Sequence, residues 1–440
     1  MRNIQKLIAF VFVVVVCACT QDDVFETSNT IEESSNPAKS IAGGSHLPTY
    51  SNTSLVVQFK GGTSDPQKTA IRAFNGVNNY EVCHCTNQDI ELWHFAGVIN
   101  VEPKKQVIKG QIDPESTTGL LEVDYEFIFG YDMDSETIGT VADVSYESYI
   151  KPVTFGTDLT IAVVDTGIAP GLTVFNDADE DPIEFLYDAE FTAVSIEKSG
   201  WDFIDEDPNT YDDDLGKHGS IISHMILDAL STQGIDFQLL PVKVSGPLGE
   251  VSYFNFLCGT LYAMERADVV NISMGWYIVG DDPEVRTIFE NITEANSNTI
   301  LVTSAGNTEN DNDNEYDHYP SSFEFDNIIA VASANKNLNK ISNFSNFGPT
   351  SVDFFAKGQG IPFYEANVKG TSFAAPQVTI QVANLIDDDT VPVFAVDGTL
   401  MMENLLGELI ARGTGVSAAF TYRGGELRNT KYNTLIIPFD

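Results

Sequence analysis

From Leu159 onward the chain alternates short apolar runs with amphipathic stretches, and no other sequence feature constrains the fold as tightly. Leu159–Val164, Phe237–Val244, Val269–Met274, Ile300–Ala305 and Ile328–Ser333 read as strands whose apolar residues run nearly unbroken. Between them, the stretch after His218, Tyr253–Arg266 and Pro283–Ala295 read as helices. Strands apolar on both faces need cover on both faces, which predicts an α/β domain with a parallel sheet between helical layers. In such sheets function collects at the carboxyl ends of the strands. Thr399–Ala411 reads as a last amphipathic helix, and Ser417–Phe439 as closing strands.

The polar residues at those ends are the candidates for chemistry. Asp165 ends the first strand, His218 opens a helix, Ser273-Met274-Gly275 ends one strand and Thr303-Ser304-Ala305-Gly306-Asn307 ends another. Ser372, in Gly370-Thr371-Ser372-Phe373-Ala374-Ala375-Pro376, stands before an apolar helical run with Pro376 in its first turn. A serine so placed is expected to face solvent, with free N–H groups and the positive helix end beside it. Taken singly, each has an ordinary structural reading: an Asp turn, a lone His at a helix start, a Gly-Thr-Ser cap. His224, inside its helix, takes that structural reading. Taken together, the types fit acyl transfer: Ser to attack, His to carry the proton, Asp to fix the imidazole and Asn to hold the oxyanion.

The order Asp, His, Asn, Ser and the surrounding stretches resemble the subtilisin-like serine proteases, or subtilases. The matching stretches are Asp165-Thr-Gly, Trp201-Asp-Phe, His218-Gly-Ser, Leu240-Pro-Val-Lys-Val244, Asn271-Ile-Ser-Met-Gly275, Ala305-Gly-Asn307, Tyr319-Pro-Ser-Ser, Ile341-Ser-Asn-Phe-Ser345 and Gly370–Pro376. They cover roughly residues 159 to 390 in family order. The resemblance implies Ser372 as nucleophile, His218 as general base, Asp165 as its orienting partner and Asn307 as oxyanion donor. It also implies that Ser273, Met274 and Gly275, with Gly249, Glu250 and Val251, line the substrate as edge strands. Ser220, Ile221, Phe373 and Val251 depart from the usual residues, which predicts an altered pocket shape with the chemistry retained. An α/β-hydrolase esterase is excluded by the chain order and by the motif around Ser372.

The expected organisation is a signal peptide over 1–19, a flexible tether over 20–53, a small α+β unit over 54–130, a linker over 131–158 and a three-layer subtilisin-like domain over 159–440. The small unit shows strands at Leu55–Lys60, Tyr80–Cys85, Ile90–Phe95 and Val123–Phe129 and a helix at Asp65–Phe74. It resembles the ferredoxin-like prosegment of subtilases, with a second helix hard to find. Arg2, Lys6 and the apolar run Leu7–Val16 form an export signal too short to span a bilayer. Val16-Cys17-Ala18-Cys19, followed by acids, resembles a lipobox and makes Cys19 the lipidated residue, which implies an outer-membrane or surface lipoprotein of the cell envelope. A cut within the linker, at Tyr131–Ser148, is expected to free the catalytic domain from that anchor, the alternative being that residues 54–129 remain attached as a fixed partner.

Composition narrows the partners. With 23 basic against 64 acidic residues, net −41, the charge balance argues against nucleic acid and anionic membrane surfaces as partners. The resemblance implies protein or peptide substrates, and a monomer is expected. Beyond Cys19 only Cys83, Cys85 and Cys258 remain, too few for a disulfide framework, and Cys83 and Cys85 read as one face of a buried strand. Asp177–Asp181, Asp212–Asp214 and Asp311–Asp317 are places where calcium could bind, as in many subtilases, but in so acidic a chain they read as solvated loops. No metal residue is assigned and no cofactor is required. The competing class is a surface binding or regulatory module on the same scaffold, with self-processing or no activity.

Overall fold

The computed structural model describes residues 47–440 apart from 85, 87–88, 98–99, 131–158, 177–184, 188–198, 279–285, 365, 389, 396, 417–419, 422–426 and 437–440. The signal segment, Cys19, most of the tether, Cys85, the linker and Asp177–Asp181 lie outside the described residues.

The amino-terminal unit runs β1 (Thr49–Phe59), α1 (Asp65–Asn75), β2 (Asn79–Val82), β3 (Ile90–His94), α2 (Val101–Lys109) and β4 (Leu120–Gly130). Its sheet has the order β2-β3-β1-β4 with antiparallel neighbours. β1 starts at Thr49, inside the stretch expected to be tether, because Thr49 and Tyr50 pair with Ile128 and Phe127. The helix that periodicity did not reveal is α2. Its inner face is made by Lys105 and Ile108, and Lys105 is tolerated there because its ammonium lies 4.0 Å from the Tyr125 ring centroid.

The second unit follows with β5 (Thr160–Asp165), β6 (Trp201–Asp202), α3 (His218–Gln233), β7 (Gln238–Lys243), β8 (Glu250–Ser252), α4 (Tyr253–Met264), β9 (Val269–Ile272), β10 (Trp276–Ile278) and α5 (Thr287–Ala295). It continues with β11 (Ile300–Ser304), β12 (Asp317–Tyr319), β13 (Ile328–Ala334), β14 (Phe354–Lys357), β15 (Gln359–Phe363), β16 (Ala366–Lys369) and α6 (Ala375–Asp387). The chain closes with α7 (Met402–Arg412), β17 (Thr414–Gly415), β18 (Phe420–Thr421), β19 (Leu427–Arg428) and β20 (Thr434–Ile436). The main sheet has the order β17-β20-β14-β13-β11-β9-β5-β7-β6. All its neighbours are parallel except β17 on β20, so the sheet is largely parallel with an antiparallel edge.

The sheet separates two apolar layers, as the period of two along a strand requires. On β5, Ile161 and Val163 join the core under α3, while Ala162 and Val164 join the core under α4. The α4 core is continuous with the amino-terminal unit. Phe127 of β4 stacks on Tyr253 with ring centroids 4.5 Å apart, and Phe129 meets Phe256 edge-on at 5.6 Å. β4 also pairs antiparallel with β8, Phe129 opposite Val251 and Gly130 opposite Glu250. Two buried carboxylates of β4 close the joint at the starts of α4 and α5. Glu126 accepts from Phe254 N and Ser252 Oγ, at 3.1 and 2.9 Å. Asp124 accepts from Ile288 N at 2.8 Å and from the Tyr253 hydroxyl.

Cys83 is not part of a buried strand face. β2 stops at Val82, and Cys83, just beyond it, forms a disulfide with Cys258 of α4, a cross-link between the two units. Two cysteines so far apart in sequence carry no local signal of pairing. Among the described residues no helix is long and apolar enough to cross a membrane.

Candidate active site

Asp165 is the last residue of β5 and His218 the first of α3, and the fold brings them into contact. Asp165 Oδ1 lies 2.7 Å from His218 Nδ1, with both side chains buried. The same oxygen accepts from Thr166 N at 2.8 Å. A carboxylate against Nδ1 keeps the proton on that nitrogen and leaves Nε2 as the acceptor nitrogen of the ring. The approach depends on glycine, because a Cβ on Gly219 would collide with the Gly167 carbonyl oxygen. Thr166 Oγ1 accepts from Gly219 N at 2.8 Å and ties the strand end to the helix start.

Asp212 and Asp214, expected to be solvated, are buried and hold the start of α3. Asp214 Oδ2 accepts from Gly216 N and His218 N. Asp212 Oδ2 accepts from Ser220 N at 3.0 Å and from Ser220 Oγ at 2.6 Å. The residue that departs from the family pattern therefore uses its hydroxyl, which also accepts from Ala169 N. Ile221 and Phe373 both lie in the α3 core, as expected of apolar replacements. Burial disfavours the imidazolium, but the Asp165 carboxylate, its hydrogen bond and the fields of Asp214 and Asp212 outweigh this and raise His218 above its ordinary pKa. Burial likewise pushes Asp212 up to about 7, against the opposing bond from Ser220 and the charge of Lys217.

Ser372 sits in the helical turn Thr371–Phe373, immediately before α6, with Pro376 in that helix's first turn. It does not face solvent: it is only 4% exposed. The cause is a reciprocal bond with the end of β9, since Ser372 Oγ donates to Ser273 O at 3.0 Å and Ser273 Oγ donates to Ser372 O at 2.8 Å. The hydroxyl is thus turned toward Ser273, while the next side chain, Phe373, lies 5.4 Å from the His218 ring between centroids. Asn271 supports the arrangement, donating to Ser273 Oγ and accepting from Thr379 Oγ1 of α6.

Asn307 follows β11, and its amide orientation is set by its partners. Its Oδ1 accepts from Thr371 N and Thr371 Oγ1 at 2.8 and 3.0 Å. A backbone N–H can only donate, so the oxygen end is assigned and the Nδ2 end is the donor. Thr371 Oγ1 in turn accepts from Gly306 N. Sequence reasoning missed Thr371, Asn271, Asp212 and Asp214 as supports; their only signal was adjacency to the motifs.

The expected substrate edge splits in two. Ser273, followed by Met274 and Gly275, bonds Ser372, whereas Glu250 and Val251, next to Gly249, are paired with the chain's own β4. Among the described residues no group of three or more His, Cys, Asp or Glu is placed to hold a metal ion. The acids at 311–317 serve the chain itself: Asp313 accepts from Thr350 N and Ser351 N, and Asp311 from Asp313 N and Asn314 Nδ2.

Residues 156–395, which contain Asp165, His218, Asn307 and Ser372, match the subtilase family of S8 peptidases. The chain belongs to the subtilase family. This subtilase is 31% identical over 194 residues to the major intracellular serine protease of Bacillus subtilis (strain 168), a match over 41% of this chain and 59% of that protein. It is 28% identical over 243 residues to the intracellular serine protease of Paenibacillus polymyxa, covering 51% of this chain and 65% of that one. The chain thus spans less than two thirds of either relative. Its fold is similar to that of the epidermin leader peptide processing serine protease of Staphylococcus aureus, with a TM-score of 0.51 at 15% identity over 86% of this chain and 96% of that one.

Proposed function

We propose that this subtilase is a serine endopeptidase that cleaves proteins or peptides through an acyl-enzyme on Ser372. The observation that carries the reading is the buried 2.7 Å bond between Asp165 and His218, which meets the turn of Ser372 through Phe373, while Thr371 of the same turn orients Asn307. In this reading the Ser372 hydroxyl swings from the Ser273 carbonyl to His218 Nε2, gives up its proton there and attacks the scissile carbonyl. Asn307 Nδ2 donates to the oxyanion, and the imidazolium returns the proton to the leaving amine. Water then repeats the sequence on the ester. A fluorophosphonate probe tests it: the wild type is labelled at Ser372, and Ser372→Ala neither labels nor hydrolyses casein. Asn307→Ala labels but turns over more slowly, by the roughly 10²- to 10³-fold known for loss of such a donor in subtilisin. A Ser372→Ala protein that cleaves casein at the wild-type rate refutes the assignment.

The amino-terminal unit acts in this reading as a ferredoxin-like prosegment. Its βαββαβ order and the seat of β4 on β8 support that role. A cut in Tyr131–Ser148 leaves the two pieces joined through Cys83–Cys258, so release of the catalytic domain requires reduction as well. The disulfide also supports export to an oxidising compartment, consistent with lipidation at Cys19 and a place in the cell envelope. Mass analysis of the amino-terminal peptide tests this, with an acylated Cys19 expected and an unmodified peptide that keeps its signal counting against it.

A further inference from the structure

The backbone runs Ser273–Gly275 and Ala305–Asn307 flank the nucleophile, because Ser273 bonds Ser372 and Asn307 bonds Thr371. In the endopeptidase reading, an acyl group with its carbon at Ser372 Oγ and its oxygen at Asn307 Nδ2 sends its side chain between these two runs. Each run carries a glycine there, and what lies behind each glycine decides how much room is left. A Cβ on Gly275 would overlap the Tyr319 carbonyl oxygen and stand 2.7 Å from His318 Cε1 and 2.8 Å from His318 Nε2. A Cβ on Gly306 would overlap the Tyr277 hydroxyl and Asn346 Nδ2 and stand 3.0 Å from His318 Cδ2. One imidazole therefore reaches both walls of the slot.

That ring is fixed in place. His318 Nδ1 lies 2.8 Å from Ser321 Oγ, whose own hydrogen goes to the His318 carbonyl at 2.9 Å. Tyr277 crosses the ring edge-on, with centroids 4.8 Å apart. The Tyr277 hydroxyl accepts from Asn346 Nδ2 and Thr308 Oγ1, at 2.8 and 3.0 Å. With His318 only 4% exposed, swinging the ring aside means breaking this network in a packed interior.

We infer that His318, backed by Tyr277, closes the slot that receives the side chain before the scissile bond and restricts it to glycine, alanine or serine. The inference rests on the serine endopeptidase reading. It is tested on the full chain with fluorogenic peptides identical except for Gly, Ala, Ser, Leu or Phe at that position, active sites being counted by fluorophosphonate labelling. From Ala to Phe, kcat/KM should fall roughly tenfold to a hundredfold, since a larger group must displace a packed ring. In His318→Ala the Phe-to-Ala ratio should rise by a similar factor. A labelled wild type that cleaves the Phe peptide as fast as the Ala peptide overturns the inference and leaves the endopeptidase reading standing. So does an unchanged ratio in a labelled His318→Ala protein. Absence of labelling in the wild type overturns the endopeptidase reading and this inference with it.

Discussion

Removing the Cys83–Cys258 cross-link, as Cys83→Ser with Cys258→Ala, should destabilise the protein without changing its architecture. The bond joins residues 175 apart in sequence, and closing a loop of that length restricts the unfolded chain by about 5 kcal/mol at 25 °C in the chain-entropy account. Against the roughly 5–15 kcal/mol by which domains are stable, that is a large share. The β4–β8 ladder, the Glu126 and Asp124 bonds and the Phe127–Tyr253 stack are untouched by the change, so the two units should still assemble. The assay is urea unfolding followed by tryptophan fluorescence, since Trp93 and Trp276 lie in the joint core. With an m-value of several kcal/mol/M for a chain of this size, the midpoint should fall by roughly 1 M. After proteolysis within 131–158, a non-reducing denaturing gel should show one species for the wild type and two for the variant. An unchanged midpoint together with separation of the cut wild type without reductant would refute the reasoning.

Two further expectations concern protons. In the proposed mechanism His218 acts as a neutral base, and because it is raised above its ordinary 6.5 the acid limb of kcat/KM should lie on the alkaline side of 6.5. Asp214→Asn, which removes one of the fields holding the imidazolium, should move that limb to lower pH; a limb that stays put counts against the assigned cause. Burial pushes Asp124 up to about 7 and Glu126 up to about 8, against the bonds they accept, from ordinary values near 4. A raised folded pKa means stability that is full below the unfolded value and lost as pH climbs through the folded one. The wild-type urea midpoint should therefore decline from about pH 4 to about pH 8 and level off above that, while Asp124→Asn with Glu126→Gln flattens the decline, and parallel slopes would refute the assignment.

The sequence made the catalytic half legible because a parallel sheet writes itself plainly. Its strands are unbroken apolar runs, so Asp165 and Asn307 stand out as the polar residues where such runs stop. His218 and Ser372 stand out as polar openings of apolar helices. What was illegible depends on partners far away in sequence. Cys258 looks like any apolar residue of α4 until Cys83 arrives beside it. α2 hid because its buried face is a lysine stem and one isoleucine rather than a stripe. Asp212 and Asp214 read as surface acids, since nothing local shows that the start of α3 folds back onto them. The solvent exposure expected of Ser372 failed for the same reason, as Ser273 comes from another strand.

The seat of β4 on β8 changes what a kinetic measurement on this protein would mean. Phe129 and Gly130 occupy the edge at Val251 and Glu250 that an incoming peptide is expected to use, and they belong to the same molecule. A tethered occupant of this kind acts at an effective concentration on the order of millimolar, independent of how dilute the protein is. The Cys83–Cys258 bond preserves the tether when the linker is cut, so dilution after cleavage does not clear the edge. Under the endopeptidase reading, a free peptide then competes with a resident strand, and its apparent KM reports the ratio of two affinities rather than either one.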